Sequence, residues 1–412
     1  MKNFFTTLLL FIILYSFLIT FNFSYASSPI NFNIFDKPKL AETVENNELN
    51  ILSKRAIIYE RNSQSLLFQK NAFDIVPMAS TTKIMTAIIV LENANLSDIV
   101  TVSKKSANTG GSRLGLHAND NITVHDLLYG LMLCSGNDAA VALAEHIGGN
   151  YQSFITLMNQ KSISLGLSNT HFESPHGLDS PHHFTTAYEL AKITDYALRL
   201  DKFRTIIETK KHTIYINNIP KLISNTNELL GYPNVYGVKT GYTGKAGRCL
   251  VTSAKNNVLD IIVIVLGADT KSIRTSDSKK LINFAFKNYT ILDLKPYILE
   301  EYLKIKQDFQ NIFIEKSNDK NITTTLLLSD NFLYAIPINT IPNITIKSTS
   351  YLPSKHLKSP LKTVGAITSY LNNTPVVSVK IITKGTIKYR NLIDYFLYFI
   401  KNFKNIINNI KF

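Results

Sequence analysis

The sequence predicts an α+β protein: a helical block on an antiparallel sheet, then a small all-β domain and a C-terminal amphipathic helix. Three observations lead there. Apolar residues recur at helical spacing through residues 84–198. Between Val235 and Leu266, three β-rich runs follow, joined by tight polar turns. Beyond about Leu292 the apolar runs become short and are punctuated by Pro and Asn. At 412 residues the chain is long enough for more than one domain and a large core.

The opening stretch, MKNFFTTLLLFIILYSFLITFNFSYASS, carries one Lys and an apolar run from Phe4 to Phe21. It then offers a small-x-small pattern at Ser24 and Ala26. Residues 1–26 read as a signal peptide, with an uncleaved membrane anchor as the competing reading. Either way, the body of the protein is expected outside the cytoplasm. A polar leader over 27–52 precedes a β-hairpin from Arg55 to Phe73, turning at Arg61 to Gln64. Ile84, Met85, Ile88, Ile89 and Leu91 then form a broad helical face.

Helices over Val124–Leu133 and Asp138–Ile147 flank Ser135-Gly136-Asn137, and the second stops at a Gly-Gly pair. Further helices are expected over Tyr151–Gly166 and Tyr188–Leu198. The runs Val235–Tyr242, Arg248–Ala254 and Val258–Leu266 are close enough in sequence to be antiparallel neighbours. A helix over Asp277–Asn288 closes a domain spanning 53–291, whose sheet the N-terminal hairpin completes.

Strands over Ile322–Leu328, Phe332–Ile336, Ile344–Lys347, Thr363–Leu371 and Val376–Thr383 make a β-rich domain at 292–387. It contains no cluster of chemistry-bearing residues. In the last segment, 388–412, Leu392, Phe396, Phe399, Ile400, Phe403, Ile407 and Ile410 share a helical face. This is the pattern of an in-plane membrane helix, with Lys401, Lys404 and Lys411 near anionic headgroups. Docking of that face on the protein's own body is the alternative.

A hydrophobic share of 45% with 18% charged residues places the chain among globular proteins. Its net charge of +14 suits an anionic membrane surface. No basic cluster alternates with an aromatic platform, so no nucleic-acid partner is expected. An exported protein could bridge Cys134 and Cys249, but both sit in apolar segments, where free buried thiols are common.

The chemistry concentrates in three short motifs. In PMASTTKIMTA, Ser80 and Lys83 lie three residues apart and share a helix face. A serine hydroxyl needs a base to become a nucleophile. A lysine serves as that base only when burial or a second cation lowers its pKa. Lys239, in Lys239-Thr240-Gly241, is the candidate second cation. Ser135 is placed to pass a proton, and Asn137 to hold a substrate amide. Thr240 and Lys239 suit a terminal carboxylate. Gly241 permits close approach of an extended peptide along a strand edge. The backbone N–H groups of Ser80 and Tyr242 would face a developing oxyanion.

Ser-x-x-Lys, Ser-x-Asn and Lys-Thr-Gly, in that order, are the signature set of penicillin-binding proteins and class A β-lactamases. With LMLCSGNDAAVALAEHIGG, SPHGLDSPHHFTTAYELA and GVKTGYTGKAGRCL as flanks, the chain resembles low-molecular-mass penicillin-binding proteins that act as serine-type D-alanyl-D-alanine carboxypeptidases. The resemblance covers nearly the whole length. It implies a β-lactamase/DD-peptidase-like fold and removal of the terminal D-alanine from peptidoglycan stem peptides through an acyl-enzyme on Ser80. It also implies acylation of Ser80 by β-lactams, and a periplasmic enzyme peripherally attached to the cytoplasmic membrane.

By the same resemblance Lys83 is the base, and Ser135, Asn137 and Lys239 belong to the second and third motifs. Arg274 helps hold the substrate carboxylate. No cofactor is implied and no metal: His176 and the pair His182-His183 read as structural or loop residues. Some relatives carry a basic residue where this chain has Asn225-Thr226-Asn227. The competing functions are a β-lactamase, a DD-endopeptidase acting on cross-links, and a non-catalytic cell-wall scaffold. Glu173 does not sit in the loop motif that a class A β-lactamase uses for deacylation, and the intact motif set argues against a scaffold.

Overall fold

The structure, a computed structural model, describes residues 39–41, 49–316, 323–327, 332–350 and 363–384, together with Ile393, Leu397 and Ile400. The chain divides into units Met1–Pro38 and Lys39–Phe412, and every described element lies in the second. The signal segment and most of the polar leader lie outside the described residues.

A six-stranded sheet organises the molecule. Its order is Lys39–Leu40, Ser65–Lys70, Arg55–Glu60, Asp260–Ala268, Gly247–Lys255, Val235–Thr243. Only the short first strand pairs in parallel. Every residue of Asp260–Ala268 is buried, and after Asp260 the stretch carries no polar side chain. Successive strand residues face opposite sides of a sheet. Thus Ile57, Ile262, Ile264 and Leu266 enter one core, and Ile58, Ile261, Val263 and Val265 the other.

The first core is filled by helices Lys83–Asn93, Val124–Leu133, Asn137–Gly148, Tyr151–Ser164 and Ala187–Ala197. The second is closed by Leu281, Ile282 and Ala285 of helix Lys271–Asn288. Side chains of Thr123, Asn150, Thr186 and Thr270 cap four of these helices by accepting backbone N–H bonds. The cap at Thr270 starts the last helix six residues before its expected start at Asp277.

Two features were not expected. Strands Ile99–Thr101, Asn121–Thr123, Lys211–Ile216 and Ile219–Ser224 form a second, four-stranded sheet. Two of them have only three residues, and Ile219–Ser224 buries Ile223 alone, so neither length nor alternation announces them. A helix over Asp201–Glu208 follows Ala187–Ala197.

In the C-terminal region, strand Tyr289–Asp293 spans the expected boundary at 291/292 and pairs with Leu333–Pro337. Strands Thr323–Leu327, Thr374–Lys384, Thr363–Leu371 and Ile344–Ser350 form a sheet close to the expected runs. The strand-only reading of this region did not foresee helix Lys295–Lys316. Leu294, Ile298 and Tyr302, at its start, join Val364, Ile367, Val379 and Ile381 in a separate core. Of the C-terminal amphipathic segment, Ile393, Leu397 and Ile400 are helical and exposed; its other residues lie outside those described. Cys134 and Cys249 are free.

Candidate active site

Ser80 lies in a 3₁₀ turn, Ala79–Thr82, which runs directly into helix Lys83–Asn93. The turn is clamped from several sides. Thr81 Oγ1 donates to the Met78 carbonyl (2.6 Å) and Thr82 Oγ1 to the Ala79 carbonyl (2.8 Å). Gly177, at φ +86°, packs so closely on the Ala79 carbonyl that a Cβ there would collide with it. Across the cleft, a Cβ on Gly241 would lie 3.1 Å from the Ser80 nitrogen. Glycine here lets the strand Val235–Thr243 abut the turn without crowding; a Cβ would force the turn to shift by a few tenths of an ångström.

Lys83 is completely buried. Its Nζ lies 3.0 Å from Ser80 Oγ, 2.7 Å from Asn137 Oδ1 and 2.8 Å from the His176 carbonyl oxygen. Burial holds its pKa well below the ordinary lysine value, and the nearby Lys239 cation lowers it further. Lys239 is also buried, and its Nζ donates to the Thr240 carbonyl at 3.0 Å. Burial, aided by the Arg274 guanidinium, brings the pKa of Lys239 down to about 7. Two buried amines therefore sit in one site, each with another cation lowering its proton affinity.

Asn137 opens helix Asn137–Gly148 and is held at both ends of its amide. Its Oδ1 accepts from Lys83, and its Nδ2 donates to the Gly110 carbonyl at 2.6 Å. The neighbouring Asp138 is buried and accepts N–H bonds from Leu114 (2.8 Å), Gly115 (2.8 Å) and Leu116 (3.1 Å). That carboxylate fixes the loop bearing Gly110 against the helix. Ser135 adopts φ +61°, an uncommon conformation for a residue with a side chain. Its hydroxyl is buried with no hydrogen-bond partner among the described residues. A strained backbone presenting an unsatisfied hydroxyl is a feature that function tends to retain.

On the other wall, Thr240 Oγ1 lies 2.9 Å from Thr226 Oγ1, which sets Asn225-Thr226-Asn227 beside the third motif. The Tyr242 side chain is exposed and stacks with the Arg248 guanidinium at 3.7 Å. Arg274 is buried in helix Lys271–Asn288 and its Nη2 donates to Glu228 Oε1 at 2.8 Å. Its Nε is buried with no partner among the described residues.

The predicted residues therefore converge by direct hydrogen bonds for Ser80, Lys83 and Asn137, and through electrostatics for Lys239 and Arg274. Sequence reasoning missed Asp138 and Glu228; it named His176, His183 and Thr226 without their contacts, reading the two histidines as structural or loop residues, which the bracing position of His183 fits. His183 Nε2 lies 2.7 Å from Thr82 Oγ1, and its Nδ1 accepts from the Glu173 N–H at 3.0 Å. The imidazole is neutral with its proton on Nε2, and burial holds its pKa at about 4. The SPHGLDSPHH stretch that carries these histidines stood out in the sequence. Its role as a brace under the serine did not.

Residues 41–270 match the family model described as D-alanyl-D-alanine carboxypeptidase. The chain belongs to that family. Among relatives, D-alanyl-D-alanine carboxypeptidase DacF of Bacillus subtilis is 38% identical over 244 residues, 58% of this chain and 63% of its own length. DacC of Escherichia coli is likewise covered over 63% of its length, so the match spans less than two thirds of both. DacA of Haemophilus influenzae is 32% identical over 349 residues, 80% of this chain and 84% of its own.

Among solved structures, penicillin binding protein 5 from Haemophilus influenzae superposes with a TM-score of 0.67 at 27% identity, covering 82% of this chain and 98% of that one. A Streptomyces DD-transpeptidase superposes with a TM-score of 0.55 at 36% identity, covering 57% of this chain and 98% of that one.

Proposed function

We propose that the chain is a serine-type D-Ala-D-Ala carboxypeptidase acting on peptidoglycan stem peptides. The observation that carries this is the hydrogen bonding of Lys83. Two of its three partners, Asn137 Oδ1 and the His176 carbonyl oxygen, can only accept. A neutral amine has two N–H groups, and both are committed to those oxygens. In that neutral form the lone pair remains to accept the Ser80 hydroxyl, whose Oγ is 3.0 Å away.

From this starting state, Lys83 takes the Ser80 proton as Ser80 Oγ attacks the carbonyl carbon of the penultimate D-alanine. The oxyanion is met by the Ser80 and Tyr242 N–H groups. Lys239 in its cationic form, with Thr240, holds the terminal carboxylate, and Arg274 adds positive potential behind them. Collapse breaks the C–N bond; Ser135 relays a proton to the departing amine of D-alanine. Water, activated through the same lysine, then attacks the acyl-enzyme and releases the shortened peptide. A β-lactam carbonyl would meet the same Ser80 and leave a stable acyl group.

We read residues 1–26 as an export signal and 388–412 as an in-plane membrane helix, placing the catalytic unit in the periplasm. Ile393, Leu397 and Ile400, exposed at spacings of four and three, support an apolar helical face there. Among the described residues no helix is long and apolar enough to cross a membrane.

The direct test is D-alanine release from a pentapeptide ending in D-Ala-D-Ala, with Ser80→Ala alongside. Release abolished in a variant with unchanged circular dichroism is the expected result. Equal turnover in the variant would remove the nucleophile assignment.

A further inference from the structure

Away from the catalytic cleft, His125, Asp126 and His212 bring three metal-ligating groups together. One ligand atom from each lies within 4.8 Å of the other two. We propose that these residues form a binding site for a transition-metal dication of the zinc class, tying helix Val124–Leu133 to the hairpin of Lys211–Ile216 and Ile219–Ser224.

The donor set is two imidazoles and one carboxylate, a combination that suits Zn²⁺ with water in the fourth position. In a tetrahedral site with bonds of about 2.0–2.2 Å, donors stand roughly 3.3 Å apart. His125 Nδ1 and Asp126 Oδ1 are already 3.0 Å apart. His212 has to close the remaining gap, and its ring nitrogens make no hydrogen bond among the described residues that would resist the movement.

The surroundings anchor Asp126 and set the orientation of the His212 ring. Asp126 lies in the first turn of its helix, where its N–H is capped by Thr123 Oγ1 at 3.1 Å. Its second oxygen, Oδ2, accepts the Tyr215 N–H at 2.8 Å, so the carboxylate is oriented by the strand that also carries His212. The Tyr129 ring stacks flat on His212, centroids 3.6 Å apart and planes 13° from parallel. Such outer contacts fix ligand orientation in metal sites. Asp126 is buried while both histidines are partly exposed, which gives an ion a path in from solvent.

Binding would replace the His125–Asp126 hydrogen bond by two coordinate bonds, with both imidazoles entering neutral. The helix that carries two of the ligands ends at Leu133, just before Ser135. The ion would therefore brace the far end of the element that leads into the second motif.

The test is titration of the purified chain with Zn²⁺ by calorimetry, beside His212→Gln, the double variant His125→Gln/His212→Gln and Ser80→Ala. One Zn²⁺ per chain is expected. Affinity should fall about 10–100-fold or more in His212→Gln, since even loss of an outer contact has that effect. Ser80→Ala should bind as the parent does. Thermal melts should show a Zn²⁺-dependent rise in Tm in the parent and in Ser80→Ala, and none in the double variant. Absence of stoichiometric binding by a folded parent overturns the proposal. So does unchanged stoichiometric binding by the double variant, which would place the ion elsewhere. Catalysis is read in none of these arms, so the outcome is independent of the carboxypeptidase reading.

Discussion

Lys239 is held in the fold at a measurable cost in stability, and replacing it with methionine exposes that cost. Its amine is buried and its pKa is reduced from 10.5 to about 7. In the unfolded chain the amine keeps its ordinary affinity for a proton. Between pH 7 and 10.5 the unfolded state therefore holds more protons, and wild-type stability rises with pH across that window. Below it the penalty is complete; above it the penalty is gone.

At pH 7 the folded lysine is about half protonated, which leaves a penalty of about 4 kcal/mol. At pH 9 the same relation leaves about 2 kcal/mol. Methionine keeps most of the side-chain volume and carries no titrating group. Lys239→Met is expected to be more stable than the parent by about 4 kcal/mol at pH 7, and by about half as much at pH 9. Urea denaturation of both proteins at the two pH values measures the difference. The same variant should release little or no D-alanine, because the cation proposed to meet the substrate carboxylate is absent. A gain that does not shrink with pH would refute the linkage argument, as would a variant no more stable than its parent at pH 7.

Three further outcomes follow from the geometry. Asn137→Asp sets a carboxylate in place of the Oδ1 that is 2.7 Å from Lys83 Nζ, which favours the protonated amine; the acid limb of the kcat/KM profile should move to higher pH, with activity at neutral pH reduced. Gly177→Ala puts a Cβ at φ +86° against the Ala79 carbonyl; it should cost more than about 2 kcal/mol in urea denaturation and reduce acylation by a labelled β-lactam. The folded pKa of His183, depressed to about 4 from 6.5, means that stability is lost as pH falls through that window, by about 3 kcal/mol at pH 4; His183→Gln should show a shallower acid unfolding curve than the parent.

The strands and helices that line the cleft were legible because their apolar runs are long and bounded by turn residues, even where, as in Lys83–Asn93 and Val124–Leu133, nearly every side is buried. Val124–Leu133 and Thr363–Leu371 have the bounds read from periodicity alone. The convergence of Ser80, Lys83 and Asn137 was legible because the three short motifs sit at a helix head, a helix junction and a strand. The second sheet was not, since its three-residue strands gain their pairing from tertiary context rather than from pattern. Helix Lys295–Lys316 was passed over because its sequence mixes polar and apolar residues without a sharp stripe. Asp138 was silent for another reason. Its three N–H partners lie 22 to 24 residues earlier, in a loop whose sequence says nothing about a carboxylate.

The proposed use of Lys83 as a base bears on where the carboxylates of the site lie. Asp138 is near enough to favour the protonated form of Lys83, and a carboxylate in contact with either amine would hold its proton. Among the described residues neither Lys83 nor Lys239 forms an ion pair. Asp138 is occupied by the N–H groups of Leu114, Gly115 and Leu116, and Glu228 by Arg274, Lys271 and Thr275. The lysines are instead held by neutral oxygens: Asn137 Oδ1 and the His176 carbonyl for one, the Thr240 carbonyl for the other. Neutral acceptors orient an amine without stabilising its charge as strongly as a carboxylate does. The same loop contacts that hold the walls in place thus keep the carboxylates out of direct contact with Lys83 and Lys239. With no carboxylate in contact, burial and the Lys239 cation keep the proton affinity of Lys83 low beside Ser80, while burial and Arg274 do the same for Lys239.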